Sequence, residues 1–376
     1  MDEIKRQIKN LEKKVTALTE KEKTLETKNQ VIINELNHVK QISETILDIL
    51  RQKNQNNIDK IIKSINLYKQ TKHAHPNWVM CILELLDGRI AVCGGGAISL
   101  NQMNYETKEW KVLTQRDKAH DGLISSLCEI SRKRIISSSK DTKIKIWDVS
   151  SNNDIQLIKT ITQHSEKVDK VITLTYNRFA SCSYDESKVR IWNSETYEQI
   201  SVPFTQQKYP NSLLQLKQQN EVLVISSNST SNPSLLFYHL TQPYELIGTV
   251  GNVCTTYRQG LIELENGHVA VSHHEPHCIY IIDPQTYTLI DTIVDNEYIP
   301  FAGPLFAFGS NSFIYVPYGG GVLCELSMRN GKYKVSFGTK ESDKDLHGNC
   351  VSLINNGKYI ITGNKNFSCS IFNYSV

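Results

Sequence analysis

The sequence predicts an all-β domain of repeated four-stranded sheets, preceded by a long α-helix that pairs in a coiled coil. Three observations point to this fold class. A β-hairpin pattern at residues 137–148 returns at residues 181–193. The bulky residue near the end of that pattern recurs along the chain at separations of 44 to 46 residues. Before these repeats, apolar residues follow the period of about 3.5 residues that is typical of a coiled-coil seam.

The N-terminal segment of residues 1–62 is predicted to form a helical stalk. It contains no proline, glycine or aromatic residue, and eleven of the fourteen seam positions between residues 4 and 50 are apolar. The apolar seam residues are Ile4, Ile8, Leu11, Val15, Leu18, Leu25, Ile32, Leu36, Val39, Ile46 and Leu50. A single helix cannot bury such a narrow stripe in water, so the stalk requires a partner.

The partner of the stalk can be a second copy of the chain, a different coiled-coil protein or the C-terminal domain. Asn29 lies at an a position, where a buried amide pairs with its counterpart and fixes the register of a dimer. Lys21 at a g position and Glu26 at the next e position have opposite charges, which favours a parallel dimer. We therefore expect residues 4–50 to form a homodimer, with a hetero-coiled coil as the alternative.

Residues 63–376 are predicted to form seven units, each a four-stranded antiparallel sheet. The hairpin at residues 137–148 combines small residues, Asp141 in a tight turn and the alternating Ile144 and Ile146. Strict alternation is the period of a half-buried strand. The bulky position is occupied in the seven units by Met103, Trp147, Trp192, Tyr238, Ile282, Leu326 and Phe372. Because one sheet cannot bury both of its faces alone, we expect the units to stack radially as the seven blades of a propeller.

The two ends of the repeat array predict how the ring closes. The seventh unit reaches Val376 just after its third strand, so it lacks an outer fourth strand. A strand-like run at residues 65–70 precedes the first unit. If this run pairs beside the seventh blade, it completes that sheet and removes two open strand edges. We therefore expect the segment that follows the stalk to close the ring.

One unit resembles a known repeat. The dipeptide Trp147-Asp148 and the upstream pair Ala119-His120 resemble the WD40 repeat, whose signature runs from Gly-His to Trp-Asp over about 40–45 residues. The resemblance is carried by residues in the second and third units and by the repeat period elsewhere. It implies a propeller whose blades are stiffened by buried hydrogen-bond networks. The residues that match the two networks are His120, Asp141 and Trp147, and His164, Asp185 and Trp192.

Composition and motifs indicate neither a catalytic site nor a cofactor. The net charge of +3 gives no general electrostatic reason to expect nucleic acid as a partner. The nine cysteines are scattered without a CxxC pair, which fits a reducing compartment better than a zinc framework. Three glycines at 94–96 lie between two strands with no helix start after them, so we interpret them as a turn. Nucleophile motifs and carboxylate pairs do not stand out, and we expect no enzyme.

The stretch of residues 273–277 is the one sequence cluster of metal-type ligands. It contains His273, His274, Glu275 and His277. Neighbouring residues of a strand face opposite sides, so at most two histidines and Glu275 could converge. We interpret the stretch as a solvated hairpin at the edge of the ring, with a metal site as the alternative. No cofactor is expected.

The remaining candidate for function is a propeller surface. In WD40 domains, partners dock on the face formed by the loops that lead into each blade and by the hairpins between its second and third strands. Tyrosine, tryptophan and arginine dominate binding hot spots because they supply large contact areas. We expect at least half of the candidates to be bystanders, since exposed tyrosines are common. The candidates are Trp78, Arg116, Asp121, Lys140, Glu166, Tyr184, Tyr209, His274, Tyr298 and Tyr318.

We therefore expect a non-catalytic protein-interaction scaffold or adaptor, in which the stalk pairs two propellers and two modest contacts act together on one target. One alternative is a structural subunit of a large assembly, such as a cytoskeletal or ciliary one, that joins through a hetero-coiled coil. The other is a propeller hydrolase. The sequence shows no signal peptide and no stretch that matches a membrane span. We expect an intracellular, cytoplasmic protein with protein partners, and the cytoskeleton or cilium are specific candidates for its location.

Overall fold

The structure is a computed structural model, and the residues it describes belong to the compact unit Ile62–Val376. The stalk predicted for residues 1–62, with Asn29, lies outside the described residues. The described ranges are 64–71, 78–131, 133–200, 209–219, 221–229, 232–255, 260–273, 278–294, 305–307, 312–315, 324–329, 332–338, 348–355, 357–364 and 369–375.

The described residues form seven antiparallel sheets, numbered here in chain order. Strand β1 (Ser64–Thr71) comes first in the chain. Sheet 1 contains β2 (Cys81–Glu84), β3 (Ile90–Gly94), β4 (Ala97–Asn104) and β5 (Glu109–Arg116). Sheet 2 contains β6 (Ile124–Ser131), β7 (Arg134–Ser139), β8 (Ile144–Asp148) and β9 (Gln156–Ile161). Sheet 3 contains β10 (Lys170–Leu174), β11 (Arg178–Ser183) and β12 (Lys188–Asn193).

The next four sheets continue the same up-and-down order. Sheet 4 contains β13 (Pro210–Gln215), β14 (Val222–Ser227), β15 (Ser234–His239) and β16 (Leu246–Gly251). Sheet 5 contains β17 (Leu261–Glu263), β18 (Val269–His273), β19 (Cys278–Asp283) and β20 (Thr288–Val294). Sheet 6 contains β21 (Leu305–Ala307), β22 (Ser312–Tyr315), β23 (Cys324–Arg329) and β24 (Lys332–Gly338). Sheet 7 contains β25 (Gly348–Ile354), β26 (Tyr359–Asn364) and β27 (Cys369–Ser375), and β1 is its fourth strand.

Burial changes from the second strand of a sheet to the fourth. Every residue of β3 and all but the first of β7 are buried. The fourth strands β5 and β9 are largely exposed. A strand that is covered on both faces has a continuous run of apolar or small residues, whereas a strand that is exposed to solvent carries polar side chains. The runs of small and β-branched residues in the sequence therefore mark the second strands, which are covered on both faces.

The seven sheets stack around a common centre through their first strands. The contacts run in a closed order: β2 with β6, β6 with β10, β10 with β13, β13 with β17, β17 with β21, β21 with β25 and β25 with β2. Apolar side chains fill the spaces between sheets. Trp147 packs between sheets 1 and 2, and Trp192 packs between sheets 2 and 3. This radial stacking is a β-propeller, so the all-β propeller prediction is confirmed.

The prediction of seven four-stranded blades is wrong for one blade. The sequence predicts seven four-stranded blades, but the described residues contain six four-stranded sheets, and sheet 3 has three strands. After β12 the chain turns back, and Ile200 N donates a hydrogen bond of 2.8 Å to Ile191 O. Gln199 forms an isolated bridge with Trp192 at the same place. Residues 201–208, which follow this short pairing, lie outside the described residues.

The ring closes as the sequence predicts. Strand β1 pairs antiparallel with β27, from Ser64 opposite Ser375 to Thr71 opposite Cys369. It is thereby the outer strand of sheet 7, in the order β1-β27-β26-β25. A segment that precedes the first sheet in the chain thus completes the last sheet, and the strand-like run at residues 65–70 is confirmed as the closing strand.

The propeller has two faces. The upper face carries the connections between sheets and the turns between second and third strands, and the lower face carries the turns between first and second strands. On the lower face, four first strands accept a hydrogen bond from a backbone N–H in the preceding sheet. The donor and acceptor pairs are Asn355 N with Glu84, Leu86 N with Glu129, Thr175 N with Gln215, and Lys217 N with Glu263. These bonds tie each of those strands to its neighbour.

Candidate protein-interaction face

A buried network in sheet 2 holds the upper-face turn between β7 and β8. His120 Nδ1 lies 2.8 Å from Asp141 Oδ2, and His120 Nε2 lies 2.7 Å from Ser137 Oγ. Trp147 Nε1 donates to the same Ser137 Oγ at 2.7 Å. A neutral imidazole with its proton on Nδ1 satisfies all four groups, because Nε2 can then accept from the serine hydroxyl. His120, Asp141 and Trp147 are therefore brought together, and Ser137 links them.

The network also fixes the backbone of two upper-face loops. Asp141 Oδ2 accepts a hydrogen bond of 3.1 Å from Asp121 N, and Asp141 Oδ1 accepts one of 3.0 Å from Lys143 N. Burial acts to raise the pKa of Asp141, but the His120 hydrogen bond and these backbone donors lower it to about 2. Burial lowers the pKa of His120, against the opposing effect of Asp141. The carboxylate is therefore charged and the imidazole neutral near pH 7.

Sheet 3 contains a second network with a different carboxylate. His164 Nε2 lies 2.7 Å from Ser181 Oγ, and Trp192 Nε1 donates to that oxygen at 2.8 Å. His164 Nδ1 lies 2.5 Å from Glu186 Oε2. Asp185, the carboxylate that the sequence assigns to this network, does not reach the histidine. Its Oδ2 lies 3.0 Å from Lys167 Nζ, and its side chain is 42% exposed.

Two cations compensate the charge of Glu186. Lys188 Nζ and Arg190 Nη2 lie 2.9 and 2.5 Å from Glu186 Oε1. Although burial acts to raise the pKa of Glu186, hydrogen bonds from Lys188, His164 and Arg190 lower it to about 2. Burial lowers the pKa of His164 to about 4, against the opposing effect of Glu186. Glu186 is therefore an ionised carboxylate that a neutral histidine and two cations hold in place.

Two of the candidate tyrosines meet on the upper face between sheets 3 and 4. The ring centroids of Tyr184 and Tyr209 are 4.9 Å apart, with the planes tilted by 33°. Lys167 Nζ lies 5.7 Å from the centroid of Tyr184. An ammonium over an aromatic face and a tilted aromatic pair are both attractive arrangements. We call Lys167, Tyr184 and Tyr209 the tyrosine cluster.

The backbone on both sides of the tyrosine cluster is fixed by polar contacts. Tyr184 N donates a hydrogen bond of 2.9 Å to Asp169 Oδ2, and Asp169 is 5% exposed. Tyr209 N donates to Ser187 Oγ at 3.3 Å, and Tyr209 O accepts a bond of 3.1 Å from Asn228 N. Tyr209 has φ of 58°, in the left-handed region that is costly for a bulky residue. The residue is nonetheless 38% exposed.

The other candidates have different environments. Trp78 is 49% exposed, and Asp121, Lys140 and Glu166 are exposed on the upper-face loops. Arg116 is exposed as a residue, yet its guanidinium lies 5.5 Å from the Trp147 ring centroid and donates to Ile155 O at 3.2 Å. Arg116 therefore supports sheet 2. His274, Tyr298 and Tyr318 lie outside the described residues.

Sequence reasoning missed three residues of this face. Glu186 is one position after the aspartate that the repeat pattern selects, and one methylene longer. Lys167 has no motif of its own and contacts Tyr184 only through the fold. Asp169, which orients Tyr184, precedes the first strand of sheet 3, a place where a buried carboxylate needs a backbone partner. A search for carboxylates beside each loop could have found Asp169 and Glu186.

Within the residues that the structure describes, no group of three or more histidine, cysteine, aspartate or glutamate side chains is placed to hold a metal ion. His274, Glu275 and His277 of the predicted alternative metal site lie outside them. The same described residues contain no helix that is long and apolar enough to cross a membrane.

The radial sheets and the buried networks define a class of protein, the repeat-built β-propeller. A family model described as WD domain, G-beta repeat matches residues 111–148. The match covers one repeat, from β5 to the end of β8, and includes His120, Asp141 and Trp147 of the first network. With the propeller fold, it supports a WD-repeat propeller. Propellers of this kind are in general non-catalytic domains that bind proteins.

Proposed function

We propose that this protein is a non-catalytic scaffold that binds a protein partner on the upper face, centred on the tyrosine cluster. The observation that carries the proposal is the contact of Tyr184 with Tyr209 and Lys167. Tyr209 is in a strained backbone conformation although more than a third of the residue is exposed. Strain at an exposed aromatic residue is typical of binding sites, where a fixed ring contacts a partner at low entropic cost.

Charges around the tyrosine cluster support a protein partner with a mixed polar surface. Lys167 pairs with Asp185 at 3.0 Å, and the half-buried Lys143 lies 3.5 Å from the exposed Asp121 carboxylate. Lys140 and Glu166 are exposed nearby on the same face. Aromatic anchors surrounded by charged residues of both signs match the usual pattern of a protein interface. A nucleic-acid backbone would instead favour a continuous basic surface.

The double variant Tyr184→Ala, Tyr209→Ala tests the site in affinity capture from the source cell with the full chain as bait. We expect the main partner to be lost while the melting temperature changes little. The matched control is Tyr176→Ala, because Tyr176 is also an exposed tyrosine with positive φ but lies on the lower face. Retained capture by the double variant, or loss with Tyr176→Ala, would place the partner elsewhere.

We further propose that residues 1–62 pair two chains as a parallel coiled-coil dimer, so that two upper faces act on one target. The heptad pattern and Asn29 support this arrangement. Sedimentation of the full chain and of residues 61–376 tests it. A dimer that becomes a monomer without residues 1–60 is expected. A full chain that is monomeric when pure would favour the alternative subunit joined by a hetero-coiled coil.

We also propose a cytoplasmic location. Eight of the nine cysteines are free and buried, which suits a reducing compartment. The small net charge of +3 supports a protein partner over nucleic acid. Imaging of the tagged full chain in its source cell tests the location, and the cytoskeleton or the cilium would each give a distinct pattern.

A further inference from the structure

Two cysteines face each other across the first two strands of sheet 1. Cys81 in β2 is paired directly with Cys93 in β3, and the register runs without a bulge from Cys81 to Glu84. Directly opposed residues of antiparallel strands carry their side chains on the same face of the sheet. The two thiols therefore lie side by side, and they are hydrogen-bonded to each other.

The same place in the other sheets holds at most one thiol. Cys93 is the last residue but one of its second strand, and the residues at that place in sheets 2, 3, 4 and 7 are likewise paired with a first-strand residue. Those pairs are Ser126 with Ser138, Lys170 with Cys182, Ser212 with Ser226, and Cys350 with Gly363. Of these five pairs, the one in sheet 1 has two groups that can join in a covalent bond.

The separation that is usual for directly opposed residues permits a disulfide bond. Their Cα atoms are about 4.5–5.5 Å apart, within the range of about 4.4–6.8 Å found in disulfides. Their Cβ atoms are also about 4.5–5.5 Å apart, whereas a disulfide brings them to about 3.8 Å. The bond would thus draw the two strands together by about 1 Å and store strain. Because a strained disulfide is easier to reduce than a relaxed one, the bond would be reversible.

The two thiols of the pair differ in acidity. The hydrogen bond from Cys93 and the nearby ammonium of Lys170 lower the pKa of Cys81 to about 7, against the opposing effect of burial. Burial raises the pKa of Cys93 well above its usual range, and the hydrogen bond to Cys81 adds to this effect. Near pH 7, Cys81 is therefore ionised in a large fraction of the molecules, while Cys93 keeps its proton. The thiolate is the form of cysteine that reacts with oxidants.

Two other thiols near Cys81 are less suited to this reaction. Cys128 in β6 and Cys350 in β25 lie on the neighbouring sheets, within range of its charge. Burial raises the pKa of Cys128 to about 12 and that of Cys350 well above its usual range. Cys128 is opposite Ile136, and Cys350 is opposite Gly363, so neither cysteine faces a thiol across its own pair of strands.

We propose that Cys81 and Cys93 form a redox modification site, which hydrogen peroxide converts to a reversible disulfide. The Cys81 thiolate attacks one peroxide oxygen, so that an S–O bond forms, the O–O bond breaks, and the leaving hydroxide takes up a proton to become water. The Cys93 sulfur then displaces the hydroxyl group of the sulfenic acid, an S–S bond forms, and a second water leaves with the Cys93 proton. The two thiols lose two electrons and the peroxide gains them. A small dithiol returns two electrons and two protons.

Peptide mapping of the full chain tests the site. The reduced chain is treated with graded amounts of hydrogen peroxide, its remaining free thiols are blocked with N-ethylmaleimide, and it is then unfolded and digested with trypsin. Cleavage after Arg89 places the two cysteines in separate peptides, residues 73–89 and 90–108, each with one cysteine. We expect these two peptides to be joined after peroxide treatment and to separate after addition of dithiothreitol.

Cys128 is the internal control for solvent access. It is 9% exposed and Cys81 is 5% exposed, so access alone would favour oxidation of Cys128. We expect Cys81 to be oxidised at least about tenfold faster than Cys128, because a much larger fraction of it is thiolate. In Cys93→Ser, Cys81 should stop at the sulfenic acid, which dimedone labels. In Cys81→Ser, Cys93 should stay reduced at the same peroxide concentration.

Three results would overturn the proposal. The first is that Cys81 and Cys93 both stay free when Cys128 is oxidised, or at every peroxide concentration at which the chain stays folded. The second is a disulfide that joins Cys81 to Cys128 or Cys350 in place of Cys93. The third is oxidation of Cys93 in Cys81→Ser at the same rate as in the unaltered chain. Because each result concerns the covalent state of named thiols, none depends on the partner proposed for the upper face.

Discussion

His120 and His164 have the same structural role but are hydrogen-bonded to different carboxylates. Each imidazole joins a buried serine and a tryptophan on one side to an acidic side chain on the other. In sheet 2 the acid is Asp141, and in sheet 3 it is Glu186, which starts one residue later in the turn. The longer glutamate reaches the same ring nitrogen from that later position. Its additional charge contacts, Lys188 and Arg190, have no counterpart among the side-chain hydrogen bonds of Asp141.

The roles of Asp185 and Glu186 can be separated by mutation. Glu186→Ala removes the acceptor of the buried His164 Nδ1 and of Arg190 Nη2, and should lower the free energy of unfolding by about 1–3 kcal/mol. Asp185→Ala removes only a half-exposed ion pair with Lys167 and should cost less than about 1 kcal/mol. Urea unfolding of the full chain measures both. A larger effect for Asp185→Ala than for Glu186→Ala would support Asp185 as the carboxylate of the His164 network, as the repeat pattern predicts.

The second network also predicts acid sensitivity. Burial lowers the pKa of His164 from 6.5 to about 4, so between these values the unfolded chain binds a proton that the folded chain does not. The contribution of neutral His164 to the stability of the folded chain is complete above pH 6.5 and is lost as the pH falls toward 4. Between pH 7 and pH 5 the loss should be roughly 2 kcal/mol.

His164→Gln tests this prediction, since glutamine keeps hydrogen-bonding groups but does not titrate. Its free energy of unfolding, measured in urea at pH 7 and at pH 5, should fall less over that interval than that of the unaltered chain. The depressed pKa of Glu186 acts in the same direction but mainly below pH 4.5. Identical pH dependence in the two proteins would exclude His164 as a source of acid sensitivity.

At the scale of elements, several turns use tyrosine where glycine is the usual residue. Tyr197, Tyr244 and Tyr287 have φ of 61°, 62° and 56° in the turns that lead to the outer part of sheets 3, 4 and 5. Such angles cost energy for residues with a Cβ. The rings offset this cost by packing: Tyr287 lies 5.1 Å from Phe237, and the Tyr197 hydroxyl accepts a hydrogen bond of 3.1 Å from Arg134.

The Tyr287 ring imposes a glycine on the neighbouring sheet. A Cβ added to Gly248 in β16 would lie 2.3 Å from the ring, so Gly248→Ala should destabilise the fold by about 1–3 kcal/mol through overpacking. Gly251→Ala in the same strand is the control, because its nearest atom would be 3.9 Å away. Thermal unfolding of both variants measures the difference. Equal melting temperatures would mean that the Tyr287 ring moves aside at little cost.

The strands were largely predictable from the sequence, and the contacts between loops were not. The alternation of Ile144 and Ile146 and the repeat period reflect local burial, which each segment carries in its own residues. The choice of Glu186 over Asp185 and the contact of Lys167 with Tyr184 depend on how turns from different segments approach each other.

At the scale of the whole molecule, β1 connects the first and the last strands of the propeller. A chain that lacks residues 1–70 loses nearly all of β1 and exposes the edge of β27, whereas a chain that lacks residues 1–60 keeps both. The shorter truncation should melt like the full propeller, and the longer one should melt at a lower temperature and aggregate. Scanning calorimetry and light scattering measure this. Equal thermal stability of the two truncated chains would contradict the role of β1.

The pairing of β1 with β27 also sets an order of events during protein synthesis. Ser64 leaves the ribosome before any residue of strands β2 to β27, and its partner, Ser375, is the last residue of β27. The first strand of the propeller must therefore stay unpaired until β27 has been made, and closing so long a loop is slow. During that interval its free edge is open to other nascent chains. A newly made molecule can thus assemble its sheets in sequence, but it completes the ring only after β27 has been made.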